Sequence, residues 1–274
     1  MAKRSGGLTE AKIKKWIKEG RGQDHGPNYK PWLTVRDIPS KGRSHRVFGY
    51  HTKRTHHLFS DLELAVFLSL DWSPNTIDIR EQFPLQQQVT LELAQEAGIK
   101  HPRVAGTFQV MSSDFLVDSS SPDLPKFVLQ AKYTKDLNNP RTVEKLELER
   151  RYWAHKSIPW RIVTEKEISA TVFQNIEWLY PNQQISYPLT ELSERLEFYA
   201  HHFAKNPSTS IITVSKSLDV QYEQEAGQSL AEMRELFASR LLSFDLNIPF
   251  KKLTPAGITF VDNASIPEVL NVYS

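Results

Sequence analysis

Apolar positions along this chain change rhythm several times, and each rhythm predicts an element. Residues 9–20 (TEAKIKKWIKEG) space Ile13, Trp16 and Ile17 as one face of a short amphipathic helix, with Gly20 as its stop. Residues 58–70 (LFSDLELAVFLSL) are apolar almost throughout, which predicts a largely buried helix, capped by Ser60 or Asp61 and ending before Pro74. Residues 76–83 (TIDIREQF) alternate as a strand does, and 85–97 read as a helix closed by Gly98. The stretch before them, residues 21–54, is rich in Gly, Pro and charge and predicts loop or extended chain.

Residues 107–117 (TFQVMSSDFLV) and 126–133 (KFVLQAKY) are β-like, and the turn formers DSSSPDLP between them predict an antiparallel hairpin. A helix over 141–155 follows, with Leu146, Arg150 and Trp153 along one side, and then a short buried strand over 158–164. Helix, strand, hairpin, helix, strand implies a mixed sheet flanked by helices. A boundary falls near 165–172. Beyond it, helices are expected over 170–180, over 188–205 with a cap at Thr190 and Glu194 close behind, and over 227–242. Residues 243–262 predict two short strands around a loop holding Lys251 and Lys252. Three helices and a hairpin is the order of a winged helix-turn-helix module. The expected fold is therefore α/β, in two domains: residues 1–168, and a mainly helical, winged-helix-like 169–274.

Composition narrows the chemistry. The 274 residues include no cysteine, which excludes disulfides, a cysteine nucleophile, Cys-type zinc sites and iron–sulfur clusters. No apolar run approaches the ~18 residues of a membrane span, and MAKRSGGLTEAK holds no hydrophobic segment, so a cytoplasmic protein without a membrane partner is expected. No GxxxxGK[ST], GxSxG or HExxH motif occurs.

The net charge of +2 hides a gradient. Residues 1–60 hold 14 Lys/Arg against 4 Asp/Glu, a net of +10, which leaves −8 for the rest. Arg36, Lys41, Arg43, Arg46, Lys53 and Arg54 interleave there with Phe48 and Tyr50, a footprint suited to a phosphate backbone or to a solvated basic surface.

One constellation carries specific chemistry. Gln130 and Lys132 are two residues apart and share a sheet face, and hairpin pairing can bring Asp114 opposite. A carboxylate, a second oxygen ligand and a lysine in that arrangement suit metal-dependent phosphodiester cleavage. The carboxylate takes a hard divalent cation, the cation polarises phosphate and activates water, and the lysine steadies developing charge. Glu63, on the apolar helix, is a natural third acidic group, because a buried carboxylate there is costly unless paired or metal-bound. Glu149, with Glu147 nearby, can lean over the same site from the following helix. His56-His57 suggest phosphate contact or plain surface, His201-His202 surface or packing, and Asp61 and Asp78 cap or strand roles. Lys251-Lys252 suit a DNA backbone contact or a solvated loop.

Glu63, Asp114 and Gln130-Ala131-Lys132 together resemble the restriction-endonuclease-like PD-(D/E)-x-K nuclease superfamily. More closely, FSDLELAVFLSLDWSP, SSDFLVD, KFVLQAKY and ERRYWAHKSIPWRIVTE resemble the TnsA family, the endonuclease subunits of heteromeric bacterial cut-and-paste transposases. The resemblance covers most of residues 25–168, and the C-terminal part also fits. It implies Mg²⁺-dependent hydrolysis, with Mn²⁺ as a substitute, at the 5′ ends of a transposon. Glu63, Asp114 and Gln130 would be metal ligands, Lys132 the catalytic lysine, and Glu149 an added catalytic group. It also implies double-stranded transposon-end DNA, a recombinase subunit cutting the 3′ ends, and an ATP-dependent regulator docking on the C-terminal domain. The chain departs from the family triplet at Gln130, where a carboxylate is usual; it can ligate by side chain, by backbone, or not at all. Two rival readings remain: a non-catalytic winged-helix DNA-binding protein, and a stand-alone restriction or repair endonuclease.

Overall fold

The computed structural model describes residues 7–37, 42–183 and 187–273, so Lys41 lies outside the described residues. The chain divides into two compact units, residues 1–168 and 169–274.

In the first unit, α1 (Glu10–Lys18) starts at Thr9, whose side chain accepts the Lys12 N–H. Ile13 and Trp16 pack with Leu8 and Trp32. Ile17 does not join them and is 53% exposed: it lies 100° around the helix from Trp16, past the edge of the buried stripe. Residues 21–54, read as loop or extended chain, supply β1 (His45–Gly49) of an antiparallel hairpin whose second strand is β2 (Arg54–Leu58). Its inward positions include Arg54 and His56 beside Val47 and Leu58, so no apolar alternation announces it.

Next, α2 (Asp61–Trp72) is capped by Ser60, and nine of its twelve residues are buried. β3 (Thr76–Pro84) and α3 (Gln87–Glu96) follow, and the chain leaves α3 through Gly98 at φ +64°. The stretch 107–117 is broken. β4 (Arg103–Val104) and β5 (Thr107–Phe108) form a miniature hairpin about Ala105 and Gly106, both at positive φ, and the long strand β6 (Ser112–Ser119) begins afterwards. β7 (Lys126–Ala131), α4 (Pro140–His155) and β8 (Trp160–Val163) complete the unit. The main sheet runs β3-β6-β7-β8, antiparallel except for the parallel β7/β8 pair. β8 is an edge strand and only half-buried. Arg150 stands outside the stripe of α4 and pairs with Glu147 at 2.7 Å.

Leu116 and Val128, paired across β6/β7, meet Tyr152 and Trp153 of α4 and Val89 and Leu93 of α3. α2 contacts β3 and β7, making a helix–sheet–helix sandwich. The free edge of β3 is covered: Arg54 donates to the Ile79 carbonyl (2.8 Å), Tyr29 to that of Glu81 (3.0 Å), and the Trp32 N–H to that of Gln82 (3.2 Å).

Glu81 is fully buried on β3. Arg54 donates to its Oε1 at 2.9 Å, and His56 Nδ1 lies 2.8 Å from its Oε2, with Thr52 against the other ring nitrogen. Burial pushes the Glu81 carboxyl up, but His56 and Arg54 outweigh it and hold it well below the usual carboxylate range. Arg54 and His56 are thus interior groups, which corrects the expectation of phosphate contact or plain surface for both; their partner is a carboxylate distant in sequence.

The second unit contains α5 (Ala170–Leu179), α6 (Leu189–Lys205), α7 (Ile211–Gln221), α8 (Gln228–Ala238), β9 (Leu242–Phe244), β10 (Ile258–Phe260) and α9 (Ile266–Tyr273). α6 follows Pro188 directly, with no side-chain cap, so Thr190 lies inside the helix rather than at its cap. Leu192, Leu196, Tyr199 and Phe203 bury at 3–4-residue spacing. Gly227, at φ +92°, precedes α8, and Asp219 caps that helix by accepting from the Gly227 and Ser229 N–H groups. β9 and β10 pair antiparallel, with Lys251 and Lys252 exposed in the connection, so a hairpin follows the helices as expected. Among the described residues, four helices rather than three precede it, because α7 adds to the expected set, and α8 ends at Ala238 rather than at residue 242. His202 is buried against the Tyr222 hydroxyl, a packing role. Among the described residues, no helix is long and apolar enough to cross a membrane.

Removing one member of a buried ion network strands the others. Arg54→Met should lower the unfolding free energy by about 3–5 kcal/mol at neutral pH. Arg46→Met, on the exposed face of the same hairpin, should change it by less than about 0.5 kcal/mol. Urea denaturation of the two variants checks this.

Candidate active site

The β6/β7 ladder is bridged from Asp118↔Lys126 to Phe115↔Leu129, and then stops although both strands run on. Where the strands part, side chains replace the missing ladder bonds. The Asp114 N–H donates to Gln130 Oε1 at 3.0 Å, and the Ala131 N–H donates to Asp114 Oδ2 at 2.9 Å. The opening thus brings Asp114, Gln130 and the start of the Lys132 side chain to one place.

Lys132 Nζ is 3.9 Å from Asp114 Oδ2. Asp114 raises the lysine pKa against the opposing effect of burial, with smaller help from Glu63 and Glu149. Glu63 arrives from the first turn of α2. Ser60 and Glu63 form a capping box: Ser60 Oγ accepts the Glu63 N–H at 3.1 Å and donates back to Oε1, while Oε2 accepts the Phe59 N–H at 2.9 Å. The cap anchors a carboxyl that also lies in the field of the site. Burial and the neighbouring Asp114 push its pKa up to about 8, against Phe59, Ser60 and Lys132.

Glu149 projects from α4. Its Oε1 accepts from Ser113 Oγ (2.6 Å) and Trp160 Nε1 (2.9 Å), and Ser113 in turn accepts from Trp153 Nε1 (2.7 Å). Burial pushes this carboxyl up to about 8 as well, with Asp114 adding to the shift. Gln130, Lys132 and Glu149 wall a cavity of about 350 Å³, together with Ser112, Thr142 and Lys145.

Glu63, Asp114, Gln130, Lys132 and Glu149, from four elements and the residue after β7, therefore share one neighbourhood. Their carboxylates do not converge as tightly as a finished cage. Among the described residues, the group of three whose ligand atoms lie within 4.8 Å is His25, Asp78 and Asp118. That group sits four residues along β6 from Asp114, roughly 13 Å. Its charges are already matched: Arg80 contacts both carboxylates, and Lys126 lies 3.1 Å from Asp118. Asp78 is thus an ion-network residue of its strand.

The donor chemistry at Asp114 suits a hard divalent cation. Two buried carboxyls and an amide oxygen share this neighbourhood with one lysine, and burial together with the Asp114 charge raises the Glu63 carboxyl, which a bound cation would offset. Gln130 Oε1 spends one lone pair on the Asp114 N–H and keeps a second. Sequence reading missed Gln82, whose amide donates to Asp114 Oδ1 at 3.3 Å, and Ser113, which orients Glu149. Both are common polar residues with no spacing signature. The Ser60-x-x-Glu63 pattern, by contrast, is readable as a capping box.

Comparison with known proteins places these residues in context. Residues 73–165 match the family described as TnsA-like endonuclease N terminal, and residues 167–246 match TnsA endonuclease C terminal. Over 253 residues, 92% of each chain, the sequence is 48% identical to the Transposon Tn7 transposition protein TnsA of Escherichia coli. Asp114, Gln130, Lys132 and Glu149 fall inside the first match, and Glu63 lies before it.

The raised carboxyls link stability to pH. Each of Glu63 and Glu149 keeps its proton in the folded, metal-free chain up to about pH 8, whereas the unfolded chain releases it near 4.5. Their contribution is therefore fully present below 4.5 and is lost as pH rises to about 8, with a slope of up to about 1.4 kcal/mol per pH unit for each group. Thermal melts in EDTA at pH 5, 6.5 and 8 should show Glu149→Gln losing less stability across that window than the unaltered chain.

Proposed function

The chain belongs to the TnsA family of transposase endonuclease subunits, and from that premise we propose that its first unit hydrolyses phosphodiesters at the 5′ ends of a transposon with Mg²⁺, Mn²⁺ substituting. One observation carries the assignment of the site: Asp114 stands where the two central strands part, with each carboxylate oxygen held by a neighbouring strand and with Lys132 beside it. Glu63, Asp114 and Gln130 would hold the cation. When bound, it polarises the scissile phosphate and makes water a stronger nucleophile near neutral pH.

The chain's own groups do the rest. Lys132, kept charged by Asp114, steadies the negative charge that develops on the phosphate oxygens. Glu149, fixed by Ser113 and Trp160, holds a proton near the cavity at neutral pH and can relay one there. The products would carry a 5′ phosphate and a 3′ hydroxyl.

DNA is contacted, on this reading, by exposed members of the basic segment. Arg46 and Phe48 share the exposed face of the β1/β2 hairpin, Lys53 stands exposed at its turn, and Arg36 is exposed before it. The major groove admits a two-stranded ribbon of this kind. Arg43 is partly committed to Asp61, and Arg54 is interior. The second unit is proposed to dock an ATP-dependent regulator, while a separate recombinase subunit cuts the 3′ ends. Both partners are implied by the family. The net −8 of residues 61–274 suits a subunit that depends on others for tight DNA binding. The reading of a non-catalytic DNA-binding protein gives way before the endonuclease matches.

The test is cleavage of 5′-labelled transposon-end duplex with Mg²⁺, with recombinase and regulator present. Asp114→Ala should abolish the 5′ cut, and Lys132→Ala should slow it by about 100-fold or more while both variants stay folded. Equal cutting by the variants would move the active site elsewhere. Sequence-directed cutting without either partner would favour a stand-alone nuclease.

A further inference from the structure

Gln82 lies opposite Asp114 in the β3/β6 register, between the pairs Glu81↔Phe115 and Phe83↔Ser113. Within β3 it alone has a left-handed backbone, at φ +47°, and it is buried. A side-chain-bearing residue rarely adopts that conformation inside a strand, and such residues persist where their surroundings over-determine them. Three contacts do so here. The Gln82 carbonyl accepts the Trp32 N–H at 3.2 Å, the side-chain Oε1 accepts from Ser112 Oγ at 3.1 Å, and Nε2 donates to Asp114 Oδ1 at 3.3 Å. The chemistry fixes the amide's orientation. A carboxylate can only accept, so the NH₂ end must face Asp114, and the Ser112 hydroxyl serves the other end as donor.

We propose that Gln82 is a positioning residue for the nuclease site. It grips Asp114 Oδ1 from β3 while the Ala131 N–H grips Oδ2 from beyond the β6/β7 opening. The carboxylate is thereby presented to a divalent cation in a single orientation. Trp32, seated among Leu8, Ile13 and Trp16, pins the strained Gln82 peptide from outside, so the N-terminal segment is part of the scaffold of the site. The inference rests on Asp114 being a metal ligand.

Glycine tolerates the left-handed conformation, so Gln82→Gly removes the amide and leaves the backbone, including the Trp32 contact, unstrained. The full chain, stripped of metal, is titrated with Mn²⁺ and free Mn²⁺ is followed by electron paramagnetic resonance, beside thermal melts and 5′ cleavage. Gln82→Gly should melt within about 3 °C of the unaltered chain and bind Mn²⁺ roughly 10–100-fold more weakly. Its cleavage should recover at high Mn²⁺, a rescue that a merely structural defect does not give. Ser112→Ala, which frees the other end of the amide, should weaken Mn²⁺ binding in the same direction but less. Unchanged Mn²⁺ affinity in Gln82→Gly overturns the proposal. If that variant fails to fold, unchanged affinity in Ser112→Ala does the same. Asp114→Ala separates the two levels: if it binds Mn²⁺ as the unaltered chain does, the metal-ligand reading of Asp114 itself is wrong, and the role of Gln82 falls with it.

Discussion

Backbone hydrogen bonding is obligatory in a buried sheet, and the parting of β6 and β7 beyond Phe115↔Leu129 creates a debt of that kind. Two N–H groups, of Asp114 and Ala131, lose their ladder partners and are met instead by the side chains of Gln130 and Asp114. The same opening that exposes backbone therefore draws polar groups into the centre of the sheet. On the other side of Asp114, the left-handed turn at Gln82 interrupts the β3 ladder at the matching position. A carboxylate is held between two broken ladders, and the candidate site is built around it.

Such an opening needs a rigid frame, and the rest of the first unit provides one. α2 covers one side of the sheet, while α3 and α4 close the other over Leu116 and Val128. β3 would be an exposed edge, but the N-terminal segment and the β1/β2 hairpin satisfy its outward carbonyls at Ile79, Glu81 and Gln82. The buried ion network of Arg54, His56 and Glu81 fastens that hairpin one residue away from Gln82. The end of β2 leads in turn through Phe59 and Ser60 to the capping box that sets Glu63.

Electrostatics explains why residue 130 can be an amide. Burial first, and the charge of Asp114 after it, push Glu63 and Glu149 up to about 8, so a further carboxylate at residue 130 would add a negative charge where ionised carboxyls are already disfavoured. A glutamine supplies an oxygen for the Asp114 N–H and retains a lone pair without adding another negative charge. At Glu81 the balance is reversed: the Arg54 guanidinium and the His56 ring beside the carboxylate outweigh burial and the carboxyl stays ionised. Two buried glutamates on neighbouring elements thus differ in charge because their partners differ, one serving architecture and the other available to chemistry.

Local pattern alone determined much of this protein. The all-round apolar character of 58–70 fixed a buried helix, period-two alternation fixed β3, and the turn formers after Asp118 fixed the central hairpin. The two-residue spacing of Gln130 and Lys132 set them on one strand face, and the paired motifs pointed to a transposase nuclease that the family matches support. Tertiary structure decided what local pattern does not encode. The β1/β2 hairpin stayed hidden because its inward positions hold Arg54 and His56, whose burial depends on Glu81, more than twenty residues on. Ile17 reads as apolar yet is 53% exposed, because the cluster with Leu8 and Trp32 takes in Ile13 and Trp16 from α1. Gln82 and Ser113 are unremarkable as letters and gain meaning only from their neighbours across the sheet. Spacing along a chain constrains which residues share a face, whereas hydrogen-bond partners and charge balance are pairwise properties of positions brought together by folding.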